Sequence, residues 1–346
     1  MKLILIFGGQ SLEHKVSIAT AQNISTSSML KFDYWYWTEN GEVLIIKKID
    51  LKLHRNPFKK DFQPLFGNRY KNIKDAIIQE SSVFDVFILG LHGGDGENGQ
   101  FQKLLENYNR KYTGSKSKAC HLAMNKIVSR LMMEKAGLCI SPACAFQDCE
   151  VSIKKKIIWF FLSKFTQFVI KPVAEGSSIG CFFLSFFQKE EFSLNITNLL
   201  EKNLNKSFIE TFIDGREFTV GVYNEFGVIH SLVPTEICKK AVKIANYKDK
   251  YWGKYIVEKT PAEIPIRLLK KLQFISKKAH VNMGCYGYSR SDMILDRNGN
   301  VFYLETNTLP GLSKVSLYPQ ALHNKGISID VFLKNQIEIT LSHVKR

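Results

Sequence analysis

"LHGGDGENGQ", residues 91–100, lies between the strand-like run "VFDVFILG" and the helix-like "QFQKLLENY", and its reading decides between two kinds of α/β protein. Taken literally, Gly94-Asp95-Gly96-Glu97-Asn98-Gly99 satisfies G-x-G-x-x-G, the glycine turn of a dinucleotide-binding fold. Such a turn follows the first strand of a βαβ unit, and an acid about 20 residues further on meets a ribose hydroxyl. Here the corresponding region reads "YTGSKSKACHLAM" and contains no acid. His92, Asp95 and Glu97 add ionisable groups, and the two acids put negative charge where a pyrophosphate must approach. The glycines therefore read as a tight turn that carries ionisable groups, and a nicotinamide enzyme is not expected.

Working outward, the stretch to about residue 114 alternates "LILIFGG", the amphipathic "EHKVSIATAQNI", "DYWYWT" and "EVLIIKK" around the turn "ENG", then "VFDVFILG" and a helix. That alternation predicts an α/β layer with a parallel sheet. A second block, about 115–209, opens with "SKACHLAMNKIVSRLMMEKAG", one helix by its spacing and stopped by Gly137, and contains the strand "QFVIKP" before the loop "VAEGSSIG". The third, 210–346, contains strands around "DGRE" and ends in a helix. Its Lys- and Tyr-rich stretch 238–258 lacks periodicity and reads as a long functional loop.

With 346 residues the chain can bury two or three cores, and 45% apolar against 23% charged residues is ordinary globular composition. Apolar runs such as "IIWFFL" at 157–162 fall well short of the roughly 18 to 20 residues of a membrane span. The apolar run of "MKLILIFGG" is too short for the core of a signal peptide, so a cytoplasmic location is expected. Seven cysteines, three of them spaced by five at Cys139, Cys144 and Cys149, read as reduced structural thiols. The net charge of +16 would attract nucleic acid, an acidic membrane or a polyanionic small molecule. The lysines are spread along the chain, however, and the densest runs, 47–60 and 152–164, lack regular aromatic interleaving. The charge reads as a surface bias, with no nucleic-acid or membrane partner expected.

Two further stretches carry chemistry. "KPVAEGSSIG", 171–180, puts Lys171 at the end of a strand before a flexible loop with hydroxyls, which suits a phosphate chain; no G-K-[ST] is present, so it is not a Walker loop. In "YSRSDMILDRNGNVFYLETNTLPG", 288–311, two alternating strands flank the turn "DRNGN". Asp292 lies on one strand and Glu305 and Asn307, two apart and so on one face, lie on the other. Three hard oxygen donors on otherwise apolar strands suit Mg2+ bound to nucleotide phosphates. Arg290, two before Asp292, could stabilise charge developing in phosphoryl or acyl transfer. An ion pair of the carboxylates with Arg290 is the metal-free alternative.

"FGGQSLEHKVS", "LHGGDGENGQFQKLLE", "AMNKIVSRLMMEKAGL", "FVIKPVAEGSSIG", "FIETFIDGREFTV" and "GYSRSDMILDRNGNVFYLETNTLPGLSKVSLYP" resemble, in this order, the motifs of the D-alanine–D-alanine ligases of the ATP-grasp superfamily. The resemblance covers residues 3–340 and is weak over 31–82 and 185–205. It implies a three-domain ATP-grasp architecture, α/β and α+β, with an N-terminal parallel-sheet domain and ATP between the central and C-terminal domains. It implies phosphate contacts from Lys126 and Lys171, an adenine contact from Glu210, a ribose contact from Glu217, and Lys250 of the mobile loop aimed at the γ-phosphate. By the same resemblance Asp292, Glu305 and Asn307 hold two Mg2+ ions, with Mn2+ able to substitute. Glu13 holds the ammonium of the first D-alanine with His92 nearby, and Ser177 and Tyr251 bond near Glu13 and close the site. Arg290 and the Gly311 backbone stabilise an oxyanion, while Ser316 and Leu317 receive the second carboxylate. The implied reaction makes an acyl phosphate from ATP and joins it to the amine of a second D-alanine, for peptidoglycan precursors. Ligation of D-alanine or another amino acid to a different amino or hydroxy acid is the alternative. A homodimer is expected from the resemblance. Two departures stand out: Lys15 replaces a usual acid and adds a cation near Glu13, and the loop "ANYKDKYW" is unusually basic, though Tyr251 fits D-alanine as second substrate.

Overall fold

The structure, a computed structural model, describes residues 1–65, 67–146, 149–174, 181–185, 206–239 and 256–342. Three sheets organise them. In the first, β1 (Leu3–Gly8) is followed by helix α1 (His14–Ser25), β2 (Phe32–Trp37), β3 (Val43–Ile46), α2 (Lys48–Leu53), β4 (Arg69–Tyr70), α3 (Ile73–Glu80) and β5 (Val86–Leu89). The strand order is β4-β3-β2-β1-β5. β1 runs parallel to β2 and β5, whereas β3 and β4 add antiparallel strands on the β2 side. Every residue of β1 and β5 is buried, the uniform apolar pattern of a parallel strand covered on both faces. The short helices α4 (Gly94–Glu97) and α5 (Gln100–Asn107) follow β5.

The expected single helix over 117–137 is two, α6 (Ser117–Met124) and α7 (Lys126–Lys135). Asn125 breaks it. Its backbone is extended, its Oδ1 accepts from Val128 N at 3.1 Å, and the next amide, Lys126 N, donates to Val173 O at 2.9 Å instead of continuing the helical ladder. The apolar period runs through the break, which is why spacing alone did not show it.

The second sheet contains β6 (Ala143–Ala145), β7 (Gln167–Pro172), β8 (Phe182–Ser185) and β9 (Ser207–Thr211) in the antiparallel order β6-β9-β7-β8. Helix α8 (Val151–Lys164) precedes β7. A third, antiparallel sheet runs β13-β12-β10-β14-β15, with β11 beside β10. Its strands are β10 (Gly215–Glu225), β11 (Val228–Ser231), β12 (Thr235–Lys239), β13 (Ile256–Lys259), β14 (Tyr288–Asp296) and β15 (Val301–Asn307), joined by α9 (Ile266–Asn282) and followed by α10 (Leu317–Asn324) and α11 (Ile329–Ser342). The turn expected at "DGRE" is instead strand, since Gly215, Arg216 and Glu217 open β10 and pair with β14, and β9 before it belongs to a different sheet. The ends of the 238–258 stretch are strand, Cys238 pairing with Val257 and Lys239 with Ile256.

All seven cysteines are free, and burial pushes the Cys120 and Cys285 thiols up to about 12, so both stay protonated and inert. Among the described residues no helix is long and apolar enough to cross a membrane.

His280, fully buried on α9, lies between Ser289 Oγ, 2.7 Å from Nδ1, and Asn224 Oδ1, 2.9 Å from Nε2. Burial lowers its pKa to about 4 from 6.5. The folded state therefore favours the neutral ring, so its stabilisation is complete above pH 6.5 and is lost as pH falls toward 4. Unfolding free energy from urea melts should be about 2 kcal/mol lower at pH 5 than at pH 7 through this group alone. His280→Gln should flatten that slope, and an unchanged slope would remove His280 as its source.

Candidate functional site

Residues of the three sheets and their connecting segments line a cavity of about 710 Å³, and thirteen of the candidate residues named from sequence are among its lining. The β14–β15 hairpin supplies its floor. Arg290 stands opposite Asn307 and Asp292 opposite Glu305, and a register shift between Asp292 and Met293 follows immediately. Residues directly across a ladder share a face, so these four side chains form a two-by-two grid. The intervening Ser291 and Thr306 point the other way, buried, with their hydroxyls 2.9 Å apart. The bulge ends the grid by re-aiming the strands beyond it.

Both sequence readings of this hairpin have support. Arg290 clasps Asp292 through Nε at 3.1 Å and an Nη at 3.2 Å, and Thr219 Oγ1 donates to Asp292 Oδ1 at 2.5 Å. Lys126 Nζ lies 3.2 Å from Glu305 Oε2, and Asn307 Oδ1 accepts from Leu309 N at 2.8 Å. Two carboxylates and an amide oxygen on adjacent ladder positions, facing a cavity, also fit a hard divalent cation. Cations neutralise this carboxylate pair from both sides, a charge balance that a metal could take over.

One end of the cavity is cationic. Lys126 caps it because the break at Asn125 starts α7 there, and Lys171 reaches in from the end of β7. Lys171 Nζ ion-pairs with Glu210 of β9, whose other oxygen takes Arg130 at 2.7 Å and Ser141 Oγ at 3.1 Å. Burial alone would raise the Glu210 carboxyl, but Lys171 and Arg130 outweigh it and hold the group below the usual carboxylate range. The same pairing raises Lys171 against burial that would lower it, so both stay charged. Glu217 of β10 ion-pairs with Lys239 of β12, and both line the cavity.

The opposite end is anionic. Glu13, 4% exposed at the start of α1, lies with Oε1 3.5 Å from His92 Nε2. His92 Nδ1 donates to Leu309 O at 3.2 Å and stands 4.0 Å from Glu97 Oε2, which accepts from Gly93 N at 3.0 Å. Burial first, and then the nearby Glu13, raise the Glu97 carboxyl. One ligand atom each from Glu13, His92 and Glu97 lie within 4.8 Å of one another. Two buried carboxylates this close together could pair with a cationic group such as an ammonium. Gly93 has φ +66°, and a Cβ there would stand 2.7 Å from Glu13 Oε2, so glycine is needed for the close approach. The glycines of "LHGGDGENGQ" thus serve to bring His92 against Glu13.

Gly311, Ser316 and Leu317 line the same cavity, and Ser316 and Leu317 are the N-cap and first residue of α10. The 309–316 loop is stapled to α1, with Leu312 N donating to Thr20 Oγ1 at 3.2 Å and Asn23 Nδ2 to Leu312 O at 2.8 Å. Of the candidates, Ser177, Lys250 and Tyr251 lie outside the described residues. Lining residues missed in sequence include Ser141, Lys239 and Phe58, and Glu97 was read there only as an ionisable group of the turn. Arg130, the partner of Glu210, was missed as well, although its i,i+4 relation to Lys126 put both on one helix face. Lys239 was hidden by placing it in the loop.

Residues 2–115 match the family model described as D-ala D-ala ligase N-terminus, and residues 132–338 the model described as D-ala D-ala ligase C-terminus. The chain is 30% identical to the D-alanine–D-alanine ligase of Leptospira interrogans serogroup Icterohaemorrhagiae serovar Lai, over 98% of either chain. It is likewise 30% identical to that of Halalkalibacterium halodurans, over 99% of either. The VanG D-Ala:D-Ser ligase of Enterococcus faecalis shares the fold, with a TM-score of 0.79 at 24% identity over 98% of this chain and 99% of that one.

Proposed function

The chain belongs to the D-alanine–D-alanine ligase family, and from that premise we propose that it joins two D-alanines into D-alanyl-D-alanine for peptidoglycan precursors, converting ATP to ADP and phosphate. The observation that carries this reading is the grid of Arg290, Asp292, Glu305 and Asn307 set in one cavity between a two-lysine end and the Glu13–His92–Glu97 pocket. A polyphosphate fits the first end and an amino-acid ammonium the second, which brings a carboxylate and a γ-phosphate together over the hairpin.

A carboxylate is a poor electrophile, so its oxygen is first phosphorylated. Lys126 and Lys171 hold the phosphate chain and, with Lys250, offset the charge on the transferring group. Glu210 keeps Lys171 charged and aimed, beside its proposed adenine contact, and Glu217 meets the ribose. Divalent cations, two Mg2+ in our reading and replaceable by Mn2+, would be held by Asp292, Glu305 and Asn307 and supply further charge neutralisation. Glu13 and His92 fix the first D-alanine so that its carboxyl group lies by Arg290. The second D-alanine binds its carboxylate at Ser316 and Leu317, where the helix N-terminus offers free amides. Its amine attacks the acyl phosphate, the oxyanion forms against Arg290 and the Gly311 amide, and phosphate leaves. An acyl phosphate hydrolyses in water, so we assign the loop within 238–258, with Tyr251 and Ser177, to closing the cavity. A cytoplasmic homodimer without a nucleic-acid partner completes the proposal.

Mg-ATP with D-alanine alone is expected to yield ADP and one dipeptide of the mass of D-alanyl-D-alanine. ADP that appears only when a different amino or hydroxy acid is added would replace this reading with a mixed ligation.

A further inference from the structure

Residues 54–62, between α2 and β4, have no part in the reaction above, yet they reach its cavity. The segment is fastened along α1 at both ends. Gln22 Nε2 donates to the carbonyls of Leu51 at 3.0 Å and His54 at 2.6 Å. Two turns away on α1, Lys15 Nζ pairs with Asp61 Oδ1 at 2.9 Å. Phe62 is buried beside it, with ring centroids 5.9 Å from Phe7, 4.9 Å from Tyr36 and 5.2 Å from His54. Between these anchors Asn56 adopts φ +62° and its carbonyl accepts from Lys59 N at 2.9 Å and Lys60 N at 3.0 Å, forming a tight turn. That turn presents Phe58 to the cavity that Glu13, Val16 and Gly311 also line. Lys15 is therefore engaged with the segment through Asp61, whose carboxyl it holds below the usual range.

We propose that Phe58 determines specificity for the first amino acid, closing the outer side of its pocket so that only a methyl-sized side chain fits, with the Lys15–Asp61 pair positioning the segment. The proposal rests on the ligase reading and deepens it. A benzyl ring offers no hydrogen bond, so its discrimination is steric. One extra methylene in a closed apolar pocket is worth roughly 10- to 200-fold.

The test is a competition of D-alanine with D-2-aminobutyrate under Mg-ATP, with tandem mass spectrometry identifying the N-terminal residue of each dipeptide, the one whose carboxyl was activated. Phe58→Ala should raise N-terminal aminobutyrate over alanine by about tenfold while leaving the C-terminal ratio unmoved. Phe58→Trp should act oppositely, raising KM for the first D-alanine and not the second. Lys15→Met should shift the N-terminal ratio in the direction of Phe58→Ala by at most about fivefold, as an exposed ion pair allows. Unchanged N-terminal ratios in both Phe58 variants, or equal changes at both positions, would overturn the proposal. Absence of any dipeptide from the unaltered protein with D-alanine would instead overturn the ligase reading, so the two failures are distinct.

Discussion

Glu305→Gln is expected to lower ligase turnover by at least about a hundredfold while the folded state persists, because it removes one charge from the hairpin grid without changing shape. Glu305 faces Asp292 across the ladder and lies 3.2 Å from Lys126 through its Oε2. A glutamine there keeps an oxygen donor but halves the anionic charge available to a divalent cation. It also releases Lys126 from its ion pair. The metal-free and metal-dependent roles therefore separate in calorimetry. Affinity for ATP without Mg2+ should hold or rise, since a freed lysine meets the phosphates, while the increment that Mg2+ adds should be lost. If Glu305 served only as the ion-pair partner of Lys126, turnover would stay near normal and the change would appear in stability instead. Circular dichroism and urea melts control for the fold. Near-normal turnover with an intact Mg2+ increment would refute the metal role.

The site was legible to the degree that its residues are neighbours in sequence. Alternation around Asn298 and Gly299 gave the hairpin and the shared face of Glu305 and Asn307, and the ladder places Arg290 and Asp292 directly opposite them. The register shift beyond Asp292 left no trace in the pattern, since a bulge changes pairing and not residue type. Lys126 was found by resemblance, but the reason it reaches the cavity, the cap at Asn125, is hidden under an uninterrupted helical period. The Glu210 network escaped for another reason. Arg130 and Glu210 are 80 residues apart, and nothing in either stretch names the other. The same holds for Phe58, which acts through a segment fastened to α1 by contacts between residues 32 and 46 positions apart.

Arg290→Lys tests the chemistry at its other end, and the predicted loss is as large for a different reason. Lysine keeps the positive charge, so Asp292 retains a partner beside Thr219 and nucleotide binding should be preserved. What disappears is the planar fork, which now presents Nε and an Nη to the two oxygens of Asp292 at 3.1 and 3.2 Å. Rigid donors aimed at a developing oxyanion are worth about 10²- to 10³-fold in turnover, and a mobile ammonium does not replace them. The step affected can be identified. Phosphoryl transfer to the first D-alanine scrambles isotope between the bridging and non-bridging oxygens of ATP, whether or not a peptide follows. With Arg290→Lys, that exchange should persist with one bound amino acid while dipeptide formation slows by the full factor, since the tetrahedral oxyanion belongs to the second step. Equal loss of both would move Arg290 to the first step, as a clamp on the carboxylate being phosphorylated. Retention of both would leave the residue as a structural partner of Asp292 alone.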